Sequence, residues 1–364
     1  MTPEELRKRI DELDHKLVEL ISERAKVVQE IGRAKASGES PTYVPSREKQ
    51  VYARVTSAND GPLPDEAIIA VWREIMSGSI ALQRQTKISF LGPPGTFTHM
   101  ATRAKFGSSI QEVPEPAIRD VFTSVLRGHS DYGVVPIENS TEGGVNETQD
   151  CFMQTGLKIC SEIYLPVHHN LMANCALGDI RTVHSHPQVF GQCREWLTAN
   201  LPGPVRVEEP STAAAADVAV KTEGAAAVAS AMAAELKGLG VLEPNVEDNP
   251  RNVTRFFVIG SRPGERTGDD KTTVMFTLKD EVGALLNVLQ SFRENGINLT
   301  WIHSRPSKQK AWDYSFYVDL EGHEEDDTVK VALEGVGERC HHLNVLGSYP
   351  VARREDVPAS GASL

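Results

Sequence analysis

Two cations near the N-terminus stand where chemistry, more than packing, accounts for them. Leu6, Ile10, Leu13, Leu17, Leu20, Val27, Ile31 and Ala34 recur at alternating steps of four and three, the spacing of a coiled-coil-like apolar seam. Arg24 occupies a seam position, four residues after Leu20 and three before Val27. A guanidinium is costly to bury unpaired, so this position calls for an anionic partner. Lys35 follows eleven residues later, close to three whole turns, so both cations face one way about 16 Å apart. Two long side chains reaching toward each other can hold a small dicarboxylate. Arg7 precedes Arg24 by seventeen residues, roughly 25 Å along the axis, too far to share that ligand within one chain. If Arg7 contacts the ligand, it does so from a second copy packed antiparallel. On a third helix, Ser79 and Gln83 are an i, i+4 polar pair where Ile68, Trp72 and Ile75 set the buried face, and such groups need partners. The plainer alternative is a structural helix whose charges are solvated or pair along neighbouring turns.

A second set of polar residues lies downstream at strand ends. Gly92-Pro-Pro-Gly-Thr96-Phe-Thr follows a strand and opens a helix, so its backbone N–H groups suit a carboxylate. It lacks the ending of a phosphate loop and the spacing of a dinucleotide fingerprint. Glu138, Asn139, Ser140 and Thr141 leave a strand together ahead of Gly143-Gly144. Ser185-His-Pro-Gln188 with Gln192 repeats that placement, and Thr254-Arg255-Phe256 opens another strand. Each alone is also compatible with a capped turn. The pairs His168-His169, His184-x-His186 and His341-His342 have no carboxylate or cysteine at ligand spacing, so no metal is expected.

Three regions must position these groups. One long helix spans residues 4–37, ended by Gly38, Pro41 and Pro45. A short helix follows from Arg47 to about Ser57, and a third from Asp65 to Gln85 after the turn Asn59-Asp-Gly-Pro-Leu-Pro. Three helices in so short a stretch cannot close a generous core, which predicts pairing with a second copy. From residue 87 strands and helices alternate. Ile88–Leu91 and Asp131–Ile137 read as strands, and Ala-rich segments 212–222 and 225–236 as helices. This is an α/β region of two lobes around a cleft, periplasmic-binding-protein-like in class. From Lys271 a ferredoxin-like βαββαβ order is expected: strands at Thr272–Lys279, Ile297–Ser304, Trp312–Leu320 and Leu343–Tyr349, helices at Gly283–Asn295 and Asp327–Cys340. The expected domains are 1–86, 87–264 and 271–351, with a disordered tail at 352–364.

Composition narrows the function classes. The 364-residue chain carries a formal charge of −12, which argues against nucleic acid as a partner but not against a small anion met by local cations. Residues 1–85 are nearly neutral, with 13 Lys+Arg against 14 Asp+Glu, so the acidity lies downstream. Five cysteines, an odd number without a C-x-x-C pair, read as reduced thiols. No apolar run suits a signal peptide core or a membrane span, so no membrane partner and a cytoplasmic location are expected.

The N-terminal residues Leu6-Arg-Lys-Arg-Ile-Asp-Glu-Leu-Asp, Glu23-Arg24, Gly32-Arg-Ala-Lys35, Arg47-Glu48 and Ser79…Gln83 resemble the all-helical chorismate mutase domain. The resemblance implies that Arg7, crossing from the other subunit, and Arg24 bind the substrate carboxylates, while Lys35 and Gln83 hydrogen-bond the ether oxygen of the breaking bond. Glu48 would hold the ring hydroxyl, assisted by Arg47 and Ser79. A Claisen rearrangement suits this inventory, needing a compact conformer and positive potential rather than a nucleophile, acid or base. Where the family often has an aspartate three residues before the Arg-Glu pair, this chain has Val44.

Residues 88–262 resemble prephenate dehydratase. By that resemblance Thr254 is the residue most tied to catalysis; because the reaction needs a proton for the departing hydroxyl, Thr254 is expected to make that hydrogen bond, with Glu138 the alternative acid. Thr96, Glu138, Asn139, Ser140, Ser185, Gln192 and Arg255 join it as substrate-site candidates. The last region resembles an ACT domain. Gly283-Ala284-Leu285-Leu286 and His303-Ser304-Arg305-Pro306 match the two phenylalanine-contacting motifs, with Leu286 in place of the usual Val and His303 in place of the usual Glu. The implied protein takes chorismate to prephenate and then to phenylpyruvate without a cofactor, under feedback by phenylalanine, as a homodimer or higher homo-oligomer. Three rivals fare worse. A transcriptional regulator would show a recognition helix with a basic face. A dehydrogenase fusion would show G-x-G-x-x-G after a strand. A sensor without catalysis would not need Arg24, Lys35, Glu48, Gln83 and Thr254 intact.

Overall fold

The computed structural model describes residues 1–35, 43–278, 281–306 and 314–352, and of Lys35 the backbone alone. Residues 36–37 of the first expected helix, Gly38, Pro41, Lys279, Trp312 and tail residues 353–364 lie outside the described residues, as does the Lys35 side chain. Packing divides the chain into two units, residues 1–87 with 105–111, and residues 88–104 with 112–364. The first unit therefore includes a short segment that the sequence reading placed in the α/β region.

In the first unit α1 runs Pro3–Lys35, α2 Pro45–Ser57 and α3 Asp65–Ala81. Pro45 opens α2 rather than closing the helix before it, because its fixed φ and missing N–H suit the first turn. Asn59 closes the next turn, its Nδ2 donating to the Leu63 carbonyl at 2.9 Å and to Asp65 Oδ1 at 2.7 Å. The third helix stops four residues short of Gln85. Its last turn tightens as the Gln83 N–H reaches the Ile80 carbonyl at 2.9 Å, which puts Gln83 just past the helix end. Along α1 the seam residues Leu6, Ile10, Leu13, Leu17 and Leu20 stay exposed in the single chain.

The second unit holds three sheets. In the first, strands run in the order Gln111–Glu115, Lys87–Leu91, Tyr132–Asn139, Val253–Gly260, Lys158–Pro166. The second runs Gly240–Glu243, Asn170–Ala173, Ala225–Ala229, Thr182–Ser185, Val205–Glu208. The chain crosses between these two lobes after Pro166 and again before Val253. The crossings lie side by side, Val167 N–H donating to the Asn252 carbonyl at 2.8 Å and Val246 N–H to the His169 carbonyl at 2.7 Å.

One expected helix is corrected. Residues 225–236 are a strand, Ala225–Ala229, followed by a separate helix, Ala231–Lys237. Alanine favours a helix in isolation, but all five strand residues are buried at the centre of the second sheet. Their small side chains let Ala215, Ala216, Ala219, Ala233 and Ala234 pack close against that sheet.

The third sheet is antiparallel, in the order Leu299–Pro306, Tyr314–Glu321, Asp270–Leu278, Cys340–Pro350, with helices Ala284–Glu294 and Asp327–Arg339 on one face. This is the ferredoxin-like order anticipated from the sequence. Its other face joins the first lobe, where Met275, Tyr317, Leu346 and Tyr349 share one core with Phe152, Phe257 and Ile259. At Gly347 an added Cβ would come within 2.3 Å of the Ile159 carbonyl oxygen, so only glycine permits this approach. No described helix is long and apolar enough to cross a membrane.

Candidate active sites

A cavity of about 240 Å³ in the first unit gathers Arg24, Arg47, Glu48, Ser79 and Gln83, all singled out from the sequence. Ser79 is fixed from both sides: its hydroxyl donates to the Ile75 carbonyl at 2.6 Å and accepts from Arg24 Nη1 at 2.8 Å. Arg24 is half-buried, and its pKa is pushed down, first by burial and then by the neighbouring Arg47 guanidinium. Two guanidiniums facing one apolar-walled cavity make a site that an anion would stabilise. Glu48 accepts from Lys105 Nζ at 2.6 Å and from the Tyr43 hydroxyl at 2.9 Å. Gln83 packs on Gly32 so tightly that a Cβ there would lie 2.8 Å from Gln83 Cγ.

Arg7 is exposed on α1 and does not line this cavity. Lys105, Arg73 and Tyr43 do, and the sequence reading missed them. Arg73 was findable as the sole Lys or Arg within α3. Lys105 carried no such signal, since it lies well past the end of the third helix at Ala81.

A larger cavity of about 920 Å³ opens between the two lobes of the second unit. Thr96, Asn139, Gln192 and Thr254 line it, joined by His169, Asn252, Ser211 and Thr212. Strand register places Thr254 opposite Asn139, so the two share the cavity face. Two ten-residue helices start at its rim, Phe97–Phe106 and Thr212–Lys221. Thr96 caps the first, its Oγ1 accepting from His99 N–H at 3.3 Å, and Ser211 caps the second, accepting from Ala214 N–H at 3.0 Å. The lobes meet at Gly95, whose carbonyl accepts from the Ser230 hydroxyl at 2.7 Å. Among the described residues lining this cavity there is no lysine or arginine. Helix N-termini therefore supply its fixed positive potential.

The hydrogen-bond directions in this cavity are determined. Asn139 Oδ1 accepts from the backbone N–H groups of Thr141 and Glu142 at 2.9 and 3.0 Å. Its Nδ2 must then face the other way, and it donates to Asn252 Oδ1 and to Thr254 Oγ1, both at 2.8 Å. Thr254 is thus an acceptor from Asn139, and its own hydroxyl proton remains available.

Four expected residues do not line the cavity. Ser185 is fully buried and donates to the Val228 carbonyl at 2.7 Å. Ser140 accepts from Val253 N–H at 3.0 Å, closing a ladder. Glu138 and Arg255 pair with each other across the strands on the face opposite Thr254, as alternation requires. Arg255 is buried, with its Nη2 2.6 Å from both Glu162 Oε2 and Asp319 Oδ2 and 3.1 Å from the Tyr349 hydroxyl. Lys271 Nζ completes the cluster at 3.0 Å from Glu162 Oε1.

Of the residues expected to hold an effector, Gly283 caps helix Ala284–Glu294 with φ 86°, a left-handed conformation that favours glycine. Ala284 is buried and Leu286 exposed. Ser304 and Pro306 are exposed on the Leu299–Pro306 strand. Arg305 instead is buried, with Nε 2.8 Å from Asp150 Oδ1. His303 contacts Gln149 Nε2 at 3.1 Å through Nδ1, and burial pushes its pKa down. No group of three His, Cys, Asp or Glu side chains placed to hold a metal occurs among the described residues.

Two chemically different cavities, one helical and lined by cations and one between α/β lobes, give the chain the make-up of a multidomain enzyme. Family models match it in three stretches: chorismate mutase type II over residues 6–84, prephenate dehydratase over 88–264 and the ACT domain over 272–338. The bifunctional chorismate mutase/prephenate dehydratase of Aquifex aeolicus is 45% identical over 353 residues, covering 96% of this chain and 98% of its own. A solved prephenate dehydratase from Arthrobacter aurescens, in complex with L-Phe, is 36% identical with a TM-score of 0.68, across 76% of this chain and 93% of its own. A structure described as GqqA, a novel type of quorum quenching acylases, is 30% identical with a TM-score of 0.67, across 73% and 98%. The chain belongs to the bifunctional chorismate mutase/prephenate dehydratase family and carries an ACT domain, joining isomerase and lyase activities.

Proposed function

We propose that the helical unit rearranges chorismate to prephenate and that the inter-lobe cavity turns prephenate into phenylpyruvate, neither step using a cofactor. In the mutase site Arg24 takes one carboxylate and Arg7 of a second copy takes the other. Lys35 and Gln83 hydrogen-bond the ether oxygen, and Glu48 takes the ring hydroxyl with Arg47 and Ser79 assisting. This requires a homodimer or higher homo-oligomer. The exposed stripe from Leu6 to Leu20 supports it, because an apolar face of that length is stabilised by a partner helix.

In the dehydratase site the carboxylates rest on the N-termini of helices Phe97–Phe106 and Thr212–Lys221. Thr254 hydrogen-bonds the departing hydroxyl while aromatisation drives the loss of carbon dioxide. The observation that carries this reading is the Asn139 N–H pointing at Thr254 Oγ1, which leaves the Thr254 proton free to donate. Glu138 lies on the opposite face of the strand, beside His303, and is not placed to act as the acid. Thr254→Val keeps the shape and removes the donor, so the dehydratase kcat falls by about 10²–10³ while the mutase is unaffected. Dehydration at the wild-type rate in Thr254→Val would sink the assignment.

The ACT domain senses phenylalanine through residues Gly283–Leu286, Ser304 and Pro306. Arg305 does not contact the effector and instead ties that strand to the dehydratase helix through Asp150. The relative with bound L-Phe supports an effector of this chemistry. The protein works in the cytoplasm, in keeping with five cysteines that hold no C-x-x-C pair.

A further inference from the structure

His169 stands in the wall of the dehydratase cavity without a role from any of the motifs. It follows the first inter-lobe crossing, is 1% exposed, and meets the Phe97 ring edge-on with centroids 5.3 Å apart. Its Nε2 lies 2.8 Å from Gln192 Oε1, whereas Nδ1 is buried with no hydrogen-bond partner. A buried ring nitrogen without a partner is uncommon and asks for an explanation.

The explanation follows from the directions already fixed at Asn139. Asn252 Oδ1 accepts from Asn139, so Asn252 turns its Nδ2 to Gln192 Oε1, at 3.4 Å. Gln192 directs its own Nε2 to Glu142 Oε1, at 3.3 Å. Gln192 Oε1 is therefore an acceptor from both sides, and the imidazole must meet it with an N–H. His169 carries its proton on Nε2, and Nδ1 is the bare lone pair. Burial pushes its pKa down, against the Gln192 bond and the Glu247 carboxylate, with His168 adding to the depression. The ring is neutral, and its tautomer is set by the chain it terminates.

We propose that His169 is a positioning residue for dehydration: as the Nε2–H tautomer it holds the Gln192 amide and, through it, keeps Asn252 seated against Asn139, whose other amide hydrogen bonds Thr254. The proposal rests on the reading of Thr254 as donor. Without the imidazole N–H, Gln192 is held only by the longer contacts, from Asn252 to its Oε1 at 3.4 Å and from its own Nε2 to Glu142 Oε1 at 3.3 Å. Asn252 then loses a fixed acceptor, and Asn139, still oriented by the Thr141 and Glu142 N–H groups, loses the firm placement of its partner Asn252. Asn139 then shifts against Thr254, and the Thr254 hydroxyl proton is no longer aimed at the substrate.

The two amide replacements separate this role from simple packing. In His169→Gln the side-chain NH₂ reaches the position of Nε2, while in His169→Asn it reaches only that of Nδ1. The full-length enzyme is assayed for phenylpyruvate formation from prephenate, with chorismate consumption as control in the same preparation. His169→Gln should stay within about threefold of the wild-type kcat, whereas His169→Asn falls about thirtyfold with KM changed less than threefold. Because His169 acts through Gln192, the double variant His169→Asn with Gln192→Ala should be no slower than the slower single variant. Nitrogen NMR of the labelled protein should show His169 Nδ1 unprotonated at neutral pH. A wild-type kcat in His169→Asn, or equal losses in both variants, would overturn the proposal. If instead Thr254→Val is fully active while His169→Asn is slow, the fault lies with Thr254 as donor and not with His169.

Discussion

Replacing Arg255 by methionine tests whether the Thr-Arg-Phe arginine serves the substrate or the fold. The guanidinium is buried with Glu162 and Asp319, two carboxylates that are both fully covered, and only Lys271 shares the neutralisation. Methionine keeps the apolar stem, which leaves the cation–π partner Phe257 in contact, 4.8 Å from the guanidinium carbon in the wild type. What is lost is one of two cations facing two carboxylates. Removing one partner from a buried ion pair costs about 3–5 kcal/mol, because the remaining charge is stranded without water. For a unit of this size each kcal/mol shifts the melting temperature by about 2–4 °C, so the dehydratase–ACT transition should fall by roughly 6–20 °C.

The deficit should also depend on pH. In the wild type burial pushes the Glu162 pKa up, but Arg255 and Lys271 outweigh it and hold the carboxylate below its usual value. Its contribution to stability is present above the unfolded pKa and lost as pH falls through the lower folded value. Asp319 is the opposite case. Burial raises its pKa despite Arg255 and Lys271, so its contribution is present below the unfolded pKa and fades as pH rises through the folded value. Without Arg255 both carboxylates move up. The variant's deficit should therefore be largest at neutral and alkaline pH and narrow toward about pH 5, as the stranded carboxyl takes up a proton. Differential scanning calorimetry across that range reads the effect. Prephenate KM, measured well below the transition, should change less than about threefold, since a residue on the opposite sheet face contributes no binding energy. A hundredfold rise in KM with an unchanged melting temperature would refute the reasoning and return Arg255 to the substrate.

Three further predictions concern the mutase. Gly32→Ala places a Cβ 2.8 Å from Gln83 Cγ and must displace that side chain, so mutase kcat/KM should drop about ten- to a hundredfold with dehydratase activity intact. Lys105→Met removes the 2.6 Å partner of Glu48, and chorismate turnover should fall about tenfold while prephenate turnover persists. Mixing Arg7→Ala chains with Arg24→Ala chains should recover up to about a quarter of wild-type mutase activity, because only one composite site in a mixed dimer has both arginines. No recovery after subunit exchange would argue that each site is built from one chain.

What could be read without the structure was what depends on short-range periodicity. The seam of α1, the off-pattern Arg24 and the βαββαβ order all follow from spacing along one element, and spacing survives folding. Strand alternation is equally legible, and it separates residues that a contiguous motif groups together. Arg255 follows Thr254 and Glu138 precedes Asn139, so neither can share its neighbour's face. The Ala225–Ala229 strand was obscured for a different reason, since its residues carry a strong local preference that only central placement in a sheet overrides. Lys105, Asn252 and His169 were out of reach altogether. Each is brought to its site by topology, across 57, 113 and 23 residues from its respective partner Glu48, Asn139 and Gln192.

In the function proposed above the two sites bind carboxylates by opposite means, and the reactions account for the difference. The mutase reaction keeps both carboxylates of its substrate, and full cations at Arg24, Arg47, Arg73 and Lys105 line the cavity proposed for it. The dehydratase must expel one carboxylate as neutral carbon dioxide. A buried lysine or arginine paired with that group would stabilise the charge the reaction has to remove, and so bind the ground state more tightly than the transition state. Partial charges at two helix N-termini hold a dianion with less penalty on its departure. The residues lining the dehydratase cavity include Thr254, Asn139, Gln192 and capped helix ends, with no lysine or arginine among them. Charge was therefore a guide to the first site from the sequence, whereas the second was marked by uncharged polar residues at or near strand ends, Thr96, Asn139, Gln192 and Thr254.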